Sequence, residues 1–310
     1  EESMRSKVVG RMLAMVLCLM LAVGSASAQN ATIYSNVETY QYYTMTTSEY
    51  FTQYTAVGDT VYAMNEAMPT AELYRWRNAD EGFVSLGVLP VGSSYPSADM
   101  MPEAGATHVV SWLFANGDKL MSIDPFTEKV FTIEEQDGAL TFADGVTVDL
   151  QPLRERNDDD ADATLRAAAD RVCVDGVLYV AMTDWTDDGE LLYGLYAIDL
   201  TTGVTRKLTD APVTAVAAYT SGKLLVRLLD ENNTWDERTQ EMKHPVLGIV
   251  DTATGAVAEQ GEYGSYLTTA LAYDAENDLA LYAESNKLMG MKVGGEAKQV
   301  AYLPVATVET

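Results

Sequence analysis

Two stretches of this 310-residue chain hold residue types suited to gripping a ligand. The first is Asp184-Trp185-Thr186-Asp187-Asp188-Gly189-Glu190. The second is Asp230-Glu231-Asn232-Asn233-Thr234-Trp235-Asp236-Glu237. Each sets an indole among carboxylates and polar neighbours. An aromatic face beside hydrogen-bonding groups stacks on a sugar ring or receives a cationic side chain. The candidate ligand-binding residues are therefore Trp185, Trp235, Asp184, Asp187 and Asp236. The expected partners are a small glycan, a peptide or another extracellular protein. The plainer alternative is that both indoles fold back onto their own hairpins as local packing.

Other chemistry is thinly represented. Counted from Asp184, Asp188 and Gly189 fall at the fifth and sixth places of a calcium loop. Thr186 then stands where an acid or amide belongs, and Leu195 where a bidentate Glu belongs. The two histidines, His108 and His244, lack a metal-type spacing. No nucleophile elbow, P-loop or dinucleotide-binding glycine pattern occurs. The reading therefore assigns no catalytic residue, no metal and no cofactor. With 46 acids in the chain, a pair of glycosidase-like carboxylates remains open. The competing function is accordingly a secreted carboxylate-dependent hydrolase or lyase acting on an extracellular polymer.

The elements that must position the two indoles are strands. From about residue 50 onward, short β-branched and aromatic runs alternate with Gly, Asp and Asn turns, and helical periodicity is nearly absent. Five runs align as leading strands: 60–64, 109–114, 177–182, 224–229 and 279–282. Tyr62, Val110, Tyr179, Leu225 and Leu281 are taken as equivalent, which spaces the units by 48, 69, 46 and 56 residues. Such periods suit propeller blades with modest loops. An acidic insertion near 143–170, with the run Asn157-Asp158-Asp159-Asp160-Ala161-Asp162, accounts for the long gap. Residues 31–57, rich in tyrosine, read as further strands that complete a last blade or open the first.

A second strand ending in a turn follows in three units: Tyr196-Ala197-Ile198-Asp199-Leu200-Thr201-Thr202-Gly203, Gly248-Ile249-Val250-Asp251-Thr252-Ala253-Thr254-Gly255 and Ser122-Ile123-Asp124-Pro125-Phe126-Thr127-Glu128. An Asp side chain can bond backbone N–H groups two or three residues on, and Gly supplies the positive φ before the next strand. These hairpins resemble the β-propeller repeats of PQQ-like and YVTN-like proteins, over about residues 54–303. The repeats are also similar to propeller segments of secreted bacterial solute-binding proteins. The resemblance implies an all-β propeller of five or six blades, or an incomplete arc of a larger one. It carries over no quinone-type cofactor, because no cofactor signature is present. A pair of β-sandwiches is the structural runner-up. In a propeller, equivalent loops of consecutive blades emerge on one face, which would make Trp185 and Trp235 neighbours on one rim.

The N-terminus reads as an address. Arg5, Lys7 and Arg11 precede the apolar run Met12–Val23, and Ala26-Ser27-Ala28 is a small-residue cleavage pattern. The expected organisation is a signal peptide, 1–28, and a propeller domain, 29–310, with a secreted or extracytoplasmic location. No later run is long enough to span a membrane. Cleavage would take the formal charge from −26 to −27 and leave Cys173 as the only cysteine, excluding an internal disulfide. Such an acidic chain is repelled by nucleic acid and anionic lipid. The combined expectation is a non-catalytic binding or interaction module, linked through the resemblance to nutrient capture.

Overall fold

The computed structural model describes residues 53–90 and 112–302, apart from 68–69, 79, 125–126, 137–138, 155–167, 186–190, 266–270 and 285–286, together with strands at 31–33, 43–45 and 306–308. The signal segment 1–28, Asp187, His108, the tyrosines at 34, 40, 42 and 50, and the acidic run 157–162 lie outside the described residues.

Strands β1 (Ala31–Ile33) and β2 (Tyr43–Met45) pair with each other. Five four-stranded antiparallel meanders follow. Blade one is β3 (Gln53–Val57), β4 (Thr60–Ala67), β5 (Thr70–Trp76) and β6 (Phe83–Pro90). Blade two is β7 (Trp112–Asn116), β8 (Lys119–Asp124), β9 (Lys129–Gln136) and β10 (Ala139–Thr147). Blade three is β11 (Ala168–Val174), β12 (Val177–Trp185), β13 (Leu191–Asp199) and β14 (Thr205–Thr209). Blade four begins with β15 (Val213–Ala218) and β16 (Lys223–Leu228). A small separate hairpin, β17 (Trp235–Asp236) and β18 (Glu241–Met242), then intervenes before β19 (Val246–Asp251) and β20 (Val257–Glu262). Blade five is β21 (Ala272–Asp274), β22 (Leu279–Glu284), β23 (Lys287–Met291) and β24 (Ala297–Tyr302). Strand β25 (Ala306–Val308) pairs with β1. This is a β-propeller, with five blades among the described residues. Blades one and two fall in one compact unit, and blades three, four and most of five in another.

The burial pattern explains why a blade cannot stand alone. Leu178, Tyr179, Val180, Ala181 and Met182 are consecutive on β12 and all buried. A sheet with one wet face would alternate, so neither face of β12 is open to water, and blade four covers one of them. Tyr179, Ala181, Leu195 and Ala197 of blade three pack with Val213, Val216, Leu224, Val226 and Val250 of blade four. The opposite face of blade four meets blade five through Ala215, Leu225, Leu247, Ala280 and Tyr282. In the other unit, Met64 and Leu73 of blade one join Leu113, Leu120, Phe131 and Ile133 of blade two. Within each unit the first strands of successive blades pack on one another: β3 on β7, β11 on β15, and β15 on β21.

One longer turn recurs in several blades. In its fullest form a carboxylate or amide oxygen takes two backbone N–H bonds, and the residue four further on has positive φ. Asp199 accepts from Thr201 and Thr202, and Gly203 sits at φ +78°. Asp251 accepts from Ala253 and Thr254, with Gly255 at φ +74°. Asn78 does the same for Asp80 and Glu81, ahead of Gly82, so blade one carries the turn with an amide in place of the acid. The two later glycines also allow close approach of the backbone, and Gly255 does so between blades three and four. A Cβ at Gly203 would stand 2.1 Å from the Thr147 carbonyl oxygen, and one at Gly255 1.9 Å from that of Leu208.

Unit two departs from the sequence alignment. Its run 109–114 aligns with second strands, yet β7 is the first strand of its blade, entered at Trp112. The true equivalents of β4, β12, β16 and β22 include β8, opened by Lys119 after the turn Gly117-Asp118. Second strands thus begin at 60, 119, 177, 223 and 279, spaced by 59, 58, 46 and 56 residues. Likewise the Asp124 turn joins a second strand to a third, whereas Asp199 and Asp251 join thirds to fourths. Glu128 holds the positive-φ place there, at +57°. The stretch 143–170 includes the end of β10, the start of β11 and the buried Val148, Leu150 and Leu153.

Candidate functional site

In blades three and four, β12 ends and β13 begins, and β16 ends and β19 begins, at the end of the blade away from the turn that joins its first and second strands. At the other end, the turn after β11 receives the turn after β13, with Leu200 N–H donating to the Gly176 carbonyl at 2.9 Å. The same bond recurs in blade four from Thr252 to Gly222, also 2.9 Å.

Asp184 and Trp185 are the last two residues of β12, opposite Leu192 and Leu191 of β13. By the two-residue period of a strand, position 185 shares a face with position 183, whose partner is Tyr193. The Tyr193 hydroxyl accepts the backbone N–H of Glu231 at 2.5 Å. Glu231 opens a 3-10 turn, Glu231–Asn233, that leads into Trp235. The blade-four insertion is thus fastened to the blade-three hairpin four residues ahead of its indole.

Trp235 and Asp236 form β17. Trp235 pairs with Met242 and Asp236 with Glu241. The hairpin is closed at its base by Lys243 N–H donating to the Thr234 carbonyl at 2.7 Å. Its tip is the recurrent turn. Asp236 Oδ1 accepts Arg238 N–H at 2.8 Å and Thr239 N–H at 3.3 Å, Gln240 N–H reaches the Asp236 carbonyl at 2.8 Å, and Gln240 sits at φ +57°. These backbone donors, Arg238 foremost, hold the Asp236 carboxyl below its ordinary pKa. One carboxylate oxygen of Asp236 is therefore committed to shaping the loop.

The indole of Trp235 is 48% exposed and Met242 37%. Leu192, on the neighbouring blade, is 45% exposed. Trp235 thus pairs with Met242 on its own hairpin and keeps about half of its surface in water. Asp187 lies outside the described residues. Sequence reasoning missed Tyr193, Met242 and Leu192. The β17–β18 hairpin was hidden because Gln240 occupies a place where Gly or Asn signals a turn.

The remaining candidates serve structure. His244 Nδ1 lies 3.0 Å from the Gly264 carbonyl oxygen. Burial pushes the Cys173 thiol up to about 11, far from a reactive thiolate. Among the described residues, no three His, Cys, Asp or Glu side chains cluster as a metal site. A polar group lies inside blades three to five. Arg227, fully buried, donates to Thr214 Oγ1 at 2.5 Å. Tyr263 donates to the Leu281 carbonyl at 2.7 Å. Asp170, on a bulge of β11, accepts Arg171 N–H and, across the blade boundary, Val216 N–H, each at 2.8 Å. Burial raises its carboxyl to about 6.

Comparison with known proteins bears on the fold. No family model and no curated protein sequence matches the chain. Among solved structures, a chain of the nidogen/laminin complex superposes with a TM-score of 0.50 at 11% identity, covering 89% of this chain and 93% of that one. The β-propeller domain of the Trilobed protease from Pyrococcus furiosus gives a TM-score of 0.42 at 11% identity, with 91% and 85% covered. YCF48, solved with a D1 peptide, gives 0.42 at 9% identity, with 89% and 77% covered. The class defined by the blades is the β-propeller. Among the described residues no helix is long and apolar enough to cross a membrane.

Proposed function

We propose that this protein is an exported β-propeller that binds a glycan, a peptide or another extracellular protein through the rim built by the second-to-third-strand connections of blades three and four. The observation that carries the reading is the Tyr193–Glu231 bond beside an exposed Trp235. It fixes the base of the blade-four insertion and leaves an aromatic face in water, and such faces concentrate recognition energy. The fold supports a binding role of this kind, and the similar nidogen/laminin chain was solved in a protein complex. Export is supported by the basic, apolar and small-residue order of residues 5–28. A non-catalytic role linked to nutrient capture accords with the absence of a catalytic motif from the sequence.

The test is a panel of oligosaccharides and peptides offered to the full chain and to Trp185→Ala and Trp235→Ala. The reading expects at least one probe to be bound without product formation, and Trp235→Ala to weaken that binding. Unchanged affinity in both variants rejects the rim; turnover of a probe rejects the non-catalytic role. A fusion of residues 1–28 to a reporter that is active only outside the cytoplasm tests export.

A further inference from the structure

Three features of the rim narrow the class of its ligand, and the narrower assignment rests on the rim being the binding surface. Trp235 and Met242 face each other across a two-stranded hairpin whose tip and base are both closed by its own backbone bonds. Directly opposed residues on such a hairpin project from the same face, so the exposed indole and thioether lie side by side as one apolar ridge. The ridge projects from a separate hairpin inserted into blade four. The nearest carboxylate in sequence, Asp236, has an oxygen committed to the turn. A sugar site needs a concave floor with carboxylates or amides ready to receive hydroxyls. This ridge instead offers a soft, adaptable apolar contact of the Trp and Met type that favours protein segments.

Charge identifies the segment. The connection 230–243 that carries the ridge holds five acids against two cations, Arg238 and Lys243. The whole chain carries −26. A partner covering the ridge must meet this field, and a basic one is drawn to it while an acidic one is repelled. Lysine or arginine side chains can also lie over the exposed indole face.

We infer that the Trp235–Met242 ridge anchors a basic, amphipathic segment of a protein partner, whose apolar side chains seat on the ridge while its cations face the surrounding acids.

Fluorescence anisotropy tests this with a labelled 14-residue peptide of Leu and Lys at helical spacing, its Leu and Glu counterpart, and labelled maltoheptaose and chitotetraose. The protein is the full chain, wild type or carrying Trp235→Ala, Met242→Ala or Val204→Ala. Val204 is a still more exposed apolar residue beside the Gly203 turn, at the opposite end of blade three. The Leu/Lys peptide is expected to bind the wild type and to weaken as salt rises. Trp235→Ala and Met242→Ala should each loosen it by about tenfold or more. Val204→Ala should leave it unchanged, and the Leu/Glu peptide should not bind. Equal binding by wild type and Trp235→Ala would show diffuse attraction to an acidic surface and overturn the inference. If the wild type ignores the Leu/Lys peptide but loses a glycan on Trp235→Ala, the ligand class is wrong and the rim stands. If Trp235→Ala alters the affinity of no bound probe, the rim itself is wrong and the inference falls with it.

Discussion

The hydroxyl of Tyr193 on β13 accepts the backbone N–H of Glu231 at 2.5 Å, joining two blades at the foot of the blade-four insertion. The partners lie 38 residues apart in sequence, so the bond exists only when the blades are stacked. Tyr193→Phe removes the acceptor and keeps the ring. Because Glu231 is exposed, water replaces the hydroxyl, and the loss should be local, about 1 kcal/mol. Hydrogen exchange should quicken across 230–243 and stay unchanged in β12 and β16. Unchanged exchange in the insertion would show that the bond does not hold it.

The turn glycines divide into two kinds, and a pair of substitutions separates them. Gly255→Ala would push a methyl group to 1.9 Å from the Leu208 carbonyl oxygen. Gly222 also has positive φ, +72°, but its Cβ would find nothing closer than Thr252 Oγ1 at 3.9 Å. Gly222→Ala should therefore cost about 1 kcal/mol for its backbone alone. Gly255→Ala should cost that plus the displacement of blade three from blade four, about 3 kcal/mol in all. Urea midpoints measure both. Equal losses would mean that blade contact does not depend on the missing side chain.

Asp170 gives the protein an unusual pH response. Its folded carboxyl titrates near 6, against an ordinary 3.8, because burial disfavours the charge. A raised folded value means that the folded state holds the proton more tightly. The resulting stabilisation is full below about pH 3.8 and is lost as the pH rises through 6, by up to about 3 kcal/mol. The turn acids Asp199, Asp236 and Asp251 behave oppositely. Their backbone donors lower their values, so their stabilisation is present above the ordinary carboxyl range and disappears in acid. Between pH 4.5 and 7.5 the urea midpoint of the wild type should fall more steeply than that of Asp170→Asn. Parallel slopes would contradict the burial of an ionising carboxyl at the β11–β15 contact.

Arg75 links blades one and two. Its guanidinium pairs with Glu81 at 2.9 Å and with Glu135 of β9, while its own side chain is buried. Arg75→Met keeps the apolar stem and strands two partly exposed carboxylates. The predicted cost is about 2 kcal/mol, less than for a wholly buried pair because both acids reach water. Glu135→Gln should cost about half as much. A neutral Arg75→Met would show that the pair serves only to seat the arginine.

The parts of the fold that were legible in sequence are those decided within five residues. Asp199 to Gly203 and Asp251 to Gly255 spell out their turns, because the oxygen, the donors and the positive-φ residue are adjacent in the chain. Unit two misled for the same local reason. Asp124 forms a turn of this family one strand earlier, and no neighbouring residue says which strand of a blade is being closed. Asn78 carried the turn in blade one under a different residue type. Arg75 with Glu135, and Tyr193 with Glu231, were illegible because their partners are 60 and 38 residues away. At the candidate site the indole of Trp235 was visible in the sequence. Its partner Met242 was not, because Gln240 in a left-handed turn gives no outward sign of a hairpin.

Recognition by the propeller is proposed to occur at the exposed face of the β17–β18 hairpin. Oxidative footprinting of the full chain addresses it most directly, with mass spectrometry following sulfoxide formation at Met242 and oxidation at Trp235. With the Leu/Lys peptide, or with whichever oligosaccharide of the panel binds, at saturation, both residues should be protected several-fold while the other methionines react as before. Oxidation of Met242 and Trp235 at undiminished rates in a saturated complex would place the binding surface elsewhere on the propeller.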